Sequence, residues 1–495
     1  MTQGSRIAIV ERNSRLSYAE LDIKATSFAN GLRRLGIKKG DRVLVQLPNS
    51  LRFAVCVFAL LRLGAIPILS MMANRESDIH AFCSLAKPVA AITVENFLGF
   101  DHGTLARNAA RRHACLRHVI TDAGLQGSLA WDALFLDTQD MPGPAPDDIA
   151  VLLLSGGTTG TPKLIPRTHA DYSLNARASA ARCGFTKDTV YLAALPMAHN
   201  FPLCSPGLLG TLSQGGRVVC IQTPSTDEAF PAIARERVNV TALVPPLVNL
   251  WLPAVQWDKN DLSSLKTLQV GGARMEPELA ARVKPTLGCD LQQVFGMAEG
   301  VLCFTRPGAD DDEVLFTQGK PLCPADEIRV VDEDGQDVPP GAVGELMVRG
   351  PYTIRGYYRA PEHNARSFSP DGFYRSGDRV RFTPEGNIQV MGRIKDHINR
   401  AGEKISAVEI ETHLRCHPQV VDAALVPLPD ADLGERSCAF LMPAGGELSL
   451  RDIHDFLRQR GVARHCMPDQ LEHIAMWPLT AVGKIDKRKL AAMAG

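Results

Sequence analysis

The sequence predicts an α/β protein. It should comprise a large N-terminal domain of helix-flanked, mostly parallel sheets plus a small β-barrel-like region, followed by a small α+β C-terminal domain. Three observations lead there. In the first half, short Val/Leu-rich strands alternate with helical patterns, the signature of a parallel sheet wound with helices. From Glu327 the texture changes to hairpins. Beyond Gly392-Arg393-Ile394-Lys395-Asp396 it changes again, to two helices and two strands. With 495 residues the chain also exceeds what one core comfortably organises, so more than one domain is expected.

Taken in order, Arg42–Gln46 reads as a strand, and Ser50 can cap a helix beginning at Leu51. The most apolar stretch, residues 53–72, is interrupted by Arg62 and Gly64 and ends after Pro67. It reads as a buried helix running into a strand and not as a membrane span. Residues 151–154 form an apolar strand that a glycine cluster ends. Further strands are expected at 217–221, 265–270 and 291–295. Asp334-Gly335 sits between strands at 328–331 and 344–348, and Asp371-Gly372 and Glu385-Gly386 mark more hairpin turns. The last part reads as helix 408–414, strand 420–426, strand 437–441 and helix 450–458, about a minimal domain. The boundary therefore falls at 393–396, between 1–392 and 397–495.

Charge is balanced, with 54 Lys+Arg against 54 Asp+Glu, so no global field recruits nucleic acid or an anionic membrane. The 12 cysteines are scattered singly, with no C-x-x-C pair, which argues against a zinc site or a disulfide framework. Together with an N-terminus that lacks an apolar signal core, this predicts reduced thiols in a cytoplasmic protein.

The most informative segment is Leu154-Ser155-Gly156-Gly157-Thr158-Thr159-Gly160-Thr161-Pro162-Lys163. Such a loop can turn several N–H groups inward as a nest for phosphate oxygens, with hydroxyls and the Lys163 charge as further donors. It is not the Gly-Lys-Ser/Thr loop of ordinary NTPases, which disfavours a kinase or a simple ATP hydrolase. More motifs follow in order: Phe295-Gly296-Met297-Ala298-Glu299-Gly300, Tyr374-Arg375-Ser376-Gly377-Asp378, Gly392-Arg393, Asn399-Arg400-Ala401-Gly402-Glu403-Lys404 and Pro478-Leu479-Thr480-Ala481-Val482-Gly483-Lys484. Together they resemble the adenylate-forming superfamily of acyl-CoA synthetases, adenylation domains and luciferases, over nearly the whole chain. Pro196-Met197-Ala198-His199-Asn200-Phe201-Pro202-Leu203-Cys204-Ser205 narrows the resemblance to stand-alone aryl-acid–AMP ligases of siderophore pathways. Gly350-Pro351-Tyr352-Thr353-Ile354-Arg355-Gly356-Tyr357-Tyr358 and Ile398-Asn399-Arg400 point the same way.

The resemblance implies that a carboxylate attacks the α-phosphate of ATP. Two anions must meet, a repulsion of about 4 kcal/mol per charge pair at 4 Å with an effective dielectric of 20. Lys484 is the expected catalytic residue that offsets it. Ser155, Gly156, Gly157, Thr158, Thr159, Gly160 and Lys163 would hold the phosphates, and Glu299 the Mg²⁺. Asp378 and Arg393 would take the ribose. Gly271, Gly272 and Ala273 would lie along the adenine, with Val294 and Phe295 beside it. Ala298 stands where a threonine is usual, so one hydroxyl contact to phosphate is absent.

For the acid, Asn200 is expected to pair with an ortho-hydroxyl or the carboxylate, since an amide both donates and accepts. His199 would stand between acid and ATP. Phe201, Ala273, Val294 and Leu302 would supply apolar walls for a flat ring. Phe201 and Leu302 resemble the salicylate pattern and Ser205 the 2,3-dihydroxybenzoate pattern, with Cys204 one position away from the cysteine usual for salicylate. The reading leans to salicylate.

Transfer to a thiol is then implied, with the C-terminal domain swinging about Lys395 to exchange Lys484 for the loop at Gly402. That loop reads Arg-Ala-Gly where Arg-Gly-Gly is common. The expected acceptor is the phosphopantetheine thiol of an aryl carrier protein on another chain, with free coenzyme A second. The resemblance also implies a few dozen residues ahead of the segment at 16–21. A benzoate-type CoA ligase and a non-catalytic aryl-acid or nucleotide-binding protein are the competing readings.

Overall fold

The computed structural model describes residues 4–154, 163–394, 397–400, 403–480 and 483–494. The chain falls into two compact units, Met1–Glu327 with Val348–Tyr374, and Ile328–Met347 with Arg375–Gly495. This grouping reflects contacts.

The first unit holds two sheets, as the strand and helix alternation predicts. Among the described residues the larger runs Lys320–Pro321, Gly300–Phe304, Asp290–Met297, Thr267–Gly271, Val240–Leu243, Val190–Ala193, Arg217–Cys220, Ile7–Glu11 and Ser14–Ser17. Neighbours from Asp290–Met297 to Ile7–Glu11 pair in parallel, and the outer strands pair antiparallel. The second sheet runs Leu164–Thr168, Ile149–Leu154, Ile66–Leu69, Arg42–Gln46, Ala90–Thr93, His118–Thr121 and Leu129–Ala130. Only its first pair is antiparallel.

Local chemistry sets the element ends. Ser50 accepts the Phe53 N–H and starts helix Leu51–Leu63, a cap whose removal costs about 1 kcal/mol. Gly64, at φ +71°, closes that helix in the left-handed region and turns the chain into strand Ile66–Leu69. No helix among the described residues is long and apolar enough to cross a membrane. The core under the larger sheet centres on Trp251, fully buried and edge-on to Phe230 at 5.2 Å, with its Nε1–H donated to the Pro224 carbonyl. The twelve cysteines are free thiols.

In the second unit, the region expected to be barrel-like is a four-stranded sheet in the order Glu327–Val331, Gly344–Arg349, Tyr374–Phe382 and Ile388–Arg393. Its last two strands form a hairpin whose turn needs Gly386 at φ +82°. The C-terminal α+β part places Glu403–Ser406, His397–Arg400, Gly434–Pro443 and Val420–Asp430 in one sheet, with Gln470–His473 parallel to Gly434–Pro443. Alternation buries both faces: Leu425 and Leu441 face helices Ala407–Arg415 and Leu450–Gln459, while Val426 and Phe440 pack with Leu490 of helix Lys487–Ala494. Strand Val420–Asp430 runs past the expected end at 426, through Pro427 and Pro429. It lies at the edge of its sheet, where a residue without an N–H is tolerated.

Candidate active site

Three segments of the first unit leave the C-terminal ends of parallel strands of the larger sheet, where ligand crevices of α/β folds form. Residues 199–205 follow Val190–Ala193, Gly272-Ala273 follow Thr267–Gly271, and Ala298-Glu299 follow Asp290–Met297. Gly271 pairs with Val294, and a Cβ on Gly271 would lie 2.8 Å from the Val294 carbonyl oxygen and 3.2 Å from Phe201 Cε1. Glycine there lets the Phe201 ring close onto the strand end. A Cβ on Gly296 would lie 2.5 Å from Leu302 Cδ2, so Leu302 covers that glycine from the neighbouring strand. Phe201, Val294 and Leu302 are buried, Phe295 is half-buried, and Gly272 and Ala273 are exposed.

Asn200 opens the short helix Asn200–Cys204, and His199 caps it, its Nδ1 accepting the Phe201 N–H at 3.3 Å. The buried Asn200 amide sits in a neutral chain of hydrogen bonds. Tyr172 donates its hydroxyl to Oδ1 at 3.0 Å, and Nδ2 donates to Ser205 Oγ at 3.3 Å. Burial pushes the Tyr172 phenol far above its ordinary range, so it stays a donor. The Cys204 thiol turns to the helix His169–Arg182, donating to the Tyr172 carbonyl and accepting from Asn175 Nδ2, and burial raises it to about 12. It does not stand in for Ser205. Beneath the Tyr172 ring lies Arg167, fully buried, its Nε donated to Asp171 at 2.8 Å and one terminal nitrogen to the Ala298 carbonyl at 3.0 Å.

That carbonyl precedes Glu299. The buried Glu299 carboxylate accepts the Tyr357 hydroxyl at 2.8 Å, and Tyr357 also touches the Tyr374 hydroxyl at 3.0 Å. Lys163 Nζ stands 5.2 Å over the Tyr357 ring centroid, so one tyrosine links the lysine of the expected phosphate loop with the expected metal ligand. The described residues hold no cluster of three or more metal-ligating side chains. Phosphate oxygens and water would suit the other positions of a Mg²⁺ held beside Glu299.

In the second unit, Asp378 and Arg393 face each other across the hairpin, with Arg393 Nε donated to Asp378 Oδ1 at 2.7 Å. Asp378 Oδ2 is buried and has no hydrogen-bond partner among the described residues. Burial pushes the Asp378 carboxyl up, opposed by the charges of Arg393 and Lys484 and by the Ser376 hydroxyl. Lys484 lies in a turn closed by Thr480 N–H to the Lys484 carbonyl at 2.7 Å, with Gly483 at φ +78°.

Of the expected site residues, Ser155, Gly156, Gly157, Thr158, Thr159, Gly160, Lys395 and Gly402 lie outside the described residues. Within the first unit His199, Asn200, Phe201, Ser205, Gly271, Val294 and Leu302 gather at the strand ends, and Lys163 and Glu299 meet through Tyr357. Within the second, Asp378, Arg393 and Lys484 form one charged corner. Sequence reasoning gave no role to Tyr172, Arg167 or Tyr357. Tyr357 stood in a quoted motif, but nothing local marked the other two.

A two-part α/β architecture with these segments at the strand ends defines an adenylate-forming type of enzyme. The chain belongs to the AMP-binding enzyme family: the model of the AMP-binding enzyme matches residues 1–358 and that of its C-terminal domain residues 409–484. It is similar to a 2,3-dihydroxybenzoate-AMP ligase of Bacillus subtilis, with 50% identity covering 98% of this chain and 90% of that protein. It is likewise similar to a salicyl-AMP ligase / salicyl-S-ArCP synthetase of Mycobacterium tuberculosis, with 48% identity covering 99% and 88%. Among solved structures, apo MbtA of Mycobacterium smegmatis is 49% identical, covering 99% of this chain and 92% of that one, with a TM-score of 0.74.

Proposed function

We propose that this enzyme activates an ortho-hydroxylated aromatic acid with ATP, salicylate ahead of 2,3-dihydroxybenzoate, giving the aryl-adenylate and pyrophosphate. It then passes the aryl group to the phosphopantetheine thiol of an aryl carrier protein on another chain, in siderophore or nonribosomal peptide biosynthesis in the cytoplasm. Relatives named for the two acids, one of them also for a carrier-bound salicyl thioester, support the acid class and the acceptor. The observation that carries the reading is the neutral Tyr172, Asn200, Ser205 chain beside the Phe201, Gly271 and Val294 wall. In this reading the apolar wall takes the flat ring and the amide reads its ortho oxygen.

In the first step a carboxylate oxygen attacks the α-phosphorus, the bond from that phosphorus to the bridging oxygen breaks, and pyrophosphate leaves. Lys484 supplies positive charge where the two anions meet. Lys163 and the loop at 155–160 hold the phosphates. Glu299 would hold Mg²⁺, whose charge neutralises phosphate oxygens. The unpartnered Asp378 Oδ2 suits a ribose hydroxyl donor, with Arg393 at its other oxygen. Gly271, Gly272 and Ala273 border the adenine, with Phe295 beside them, and His199 separates acid from nucleotide. For transfer, 397–495 turns at the 393–396 hinge around Lys395 and brings the Gly402 loop to the site. The thiolate sulfur then bonds to the acyl carbon as the acyl–phosphate bond breaks and AMP leaves.

Salicylate is favoured because Phe201 and Leu302 are apolar and buried, and because Ser205 Oγ already accepts from Asn200. The acceptor capacity of Ser205 is thus used by the amide even when the acid lacks a 3-hydroxyl. Acid-dependent ATP–pyrophosphate exchange tests the reading with salicylate, 2,3-dihydroxybenzoate, 3-hydroxypicolinate, anthranilate and benzoate. Salicylate should lead, with 2,3-dihydroxybenzoate within about tenfold, since an apolar wall rejects an extra hydroxyl weakly. Folded, ATP-binding protein that exchanges with none of them refutes it. Faster loading of free coenzyme A than of a carrier protein would replace the acceptor.

A further inference from the structure

An amide side chain reads its ligand by whichever end it presents, and Asn200 could present either if its neighbours allowed both. They allow one. The Tyr172 hydroxyl lies 3.0 Å from Oδ1 and is kept protonated by burial. Among the described residues, the Cys204 thiol also lies at that hydroxyl, a weak acceptor whose own proton goes to the Tyr172 carbonyl. With the amide turned over, the Tyr172 proton would meet an NH₂ and be left with sulfur alone. In the orientation present, Ser205 Oγ takes one Nδ2 hydrogen, and the second has no partner among the described residues. The tyrosine cannot swing away. The Arg167 guanidinium lies 5.0 Å from its ring centroid, and Arg167 is pinned by Asp171 and the Ala298 carbonyl.

We infer that Tyr172 is a positioning residue that fixes Asn200 as a hydrogen-bond donor to the acid, and so selects an ortho oxygen over an ortho amine. The inference rests on the aryl-acid reading above. Salicylate points its phenol proton at its own carboxylate and leaves lone pairs outward for the Asn200 N–H. In anthranilate the ortho nitrogen shares its lone pair with the ring, and its second hydrogen points outward, N–H against N–H. Discrimination built on such a mismatch is strong. Tyr172 does not touch the acid in this scheme and acts only through the amide.

The test compares kcat/KM for salicylate and anthranilate in pyrophosphate exchange across wild type, Tyr172→Phe, Asn200→Ala and the double variant. Tyr172→Phe keeps the ring under Arg167 and removes one oxygen. Wild type should prefer salicylate by at least about a hundredfold. Tyr172→Phe should cut that ratio by about tenfold, chiefly through KM, and should have no further effect on the Asn200→Ala background. An unchanged ratio in folded Tyr172→Phe overturns the inference, as does an equal fall on both backgrounds. Asn200→Asp, with Tyr172 intact, replaces the donor by an acceptor and should move the ratio towards anthranilate. An unmoved ratio there overturns the donor assignment even if Tyr172→Phe is too unstable to assay. Failure of the wild type to exchange with any aromatic acid is a different result and overturns the proposed function itself.

Discussion

Two buried polar clusters, one in each unit, are held in opposite ways. In the first, Tyr172, Asn200 and Ser205 are neutral, buried and bonded to one another. In the second, the Asp378 carboxyl is 4% exposed, with one oxygen on Arg393 and the other without a hydrogen-bond partner among the described residues. A neutral chain bonded within itself is inexpensive to hold and reads a ligand by the donor hydrogens it has left. A buried carboxylate with an empty oxygen is held at a cost in stability that an arriving donor relieves. Under the proposed function the neutral chain sets which acid is taken, and the charged corner sets how fast it reacts.

The largest effect should come from the charged corner. Lys484→Ala is expected to lower adenylation turnover by about a hundredfold or more, the scale of removing one group that meets developing charge. The turn around Lys484 is closed by main-chain bonds and by the Thr480 hydroxyl on the Lys484 N–H, none of which uses the lysine side chain. The turn itself should therefore survive the substitution, and calorimetry should find salicylate binding within about threefold of wild type. A variant that loses turnover only as far as it loses acid binding would break the division between reading and reacting.

What the sequence made legible follows the range over which its signals act. Strand Arg42–Gln46, the Ser50 cap and the switch from parallel sheets to hairpins are local patterns, and the structure holds all three. Lys484 and Glu299 stood out through motifs. Tyr172 and Tyr357 did not, because each acquires its place only from a partner, Asn200 and Glu299, that is 28 and 58 residues away. Arg167 was hidden for a related reason. An arginine in a strand reads as a surface residue, and only Asp171, Ala298 and the Tyr172 ring explain why this one is fully buried.

An intermediate effect sharpens the comparison through stability. The folded-state pKa of Asp378 is raised above the ordinary 3.8, chiefly by burial. The folded protein thus holds this proton more tightly than the unfolded chain. The stability this contributes is full below the ordinary carboxyl value and is lost as pH rises through the folded-state value. Asp378→Asn is neutral at every pH and removes that loss. Its melting temperature should equal or exceed that of wild type at neutral pH and lose the advantage in acid, while KM for ATP rises about tenfold, the scale of one hydrogen bond to a charged group. Thermal melts across the pH range check the first part and exchange kinetics the second. A variant less stable than wild type at neutral pH would mean that the Arg393 pair outweighs the burial cost.

The smallest effect tests the neutral chain where it meets the ring. Ser205 is 1% exposed, and its Oγ accepts from Asn200. Ser205→Cys keeps a group of similar shape in place but makes it a weak acceptor and donor. If Ser205 only completes the amide chain, both acids should slow alike, because Asn200 loses a partner whichever ring is bound. If its hydroxyl also reaches the ring, exchange with 2,3-dihydroxybenzoate should fall about threefold further than with salicylate, the modest penalty expected when a hydroxyl faces a less polar wall. The ratio of the two acids separates these cases, and we expect the second. The Ser205 hydroxyl has accepted one hydrogen from the amide and still carries a proton of its own to offer.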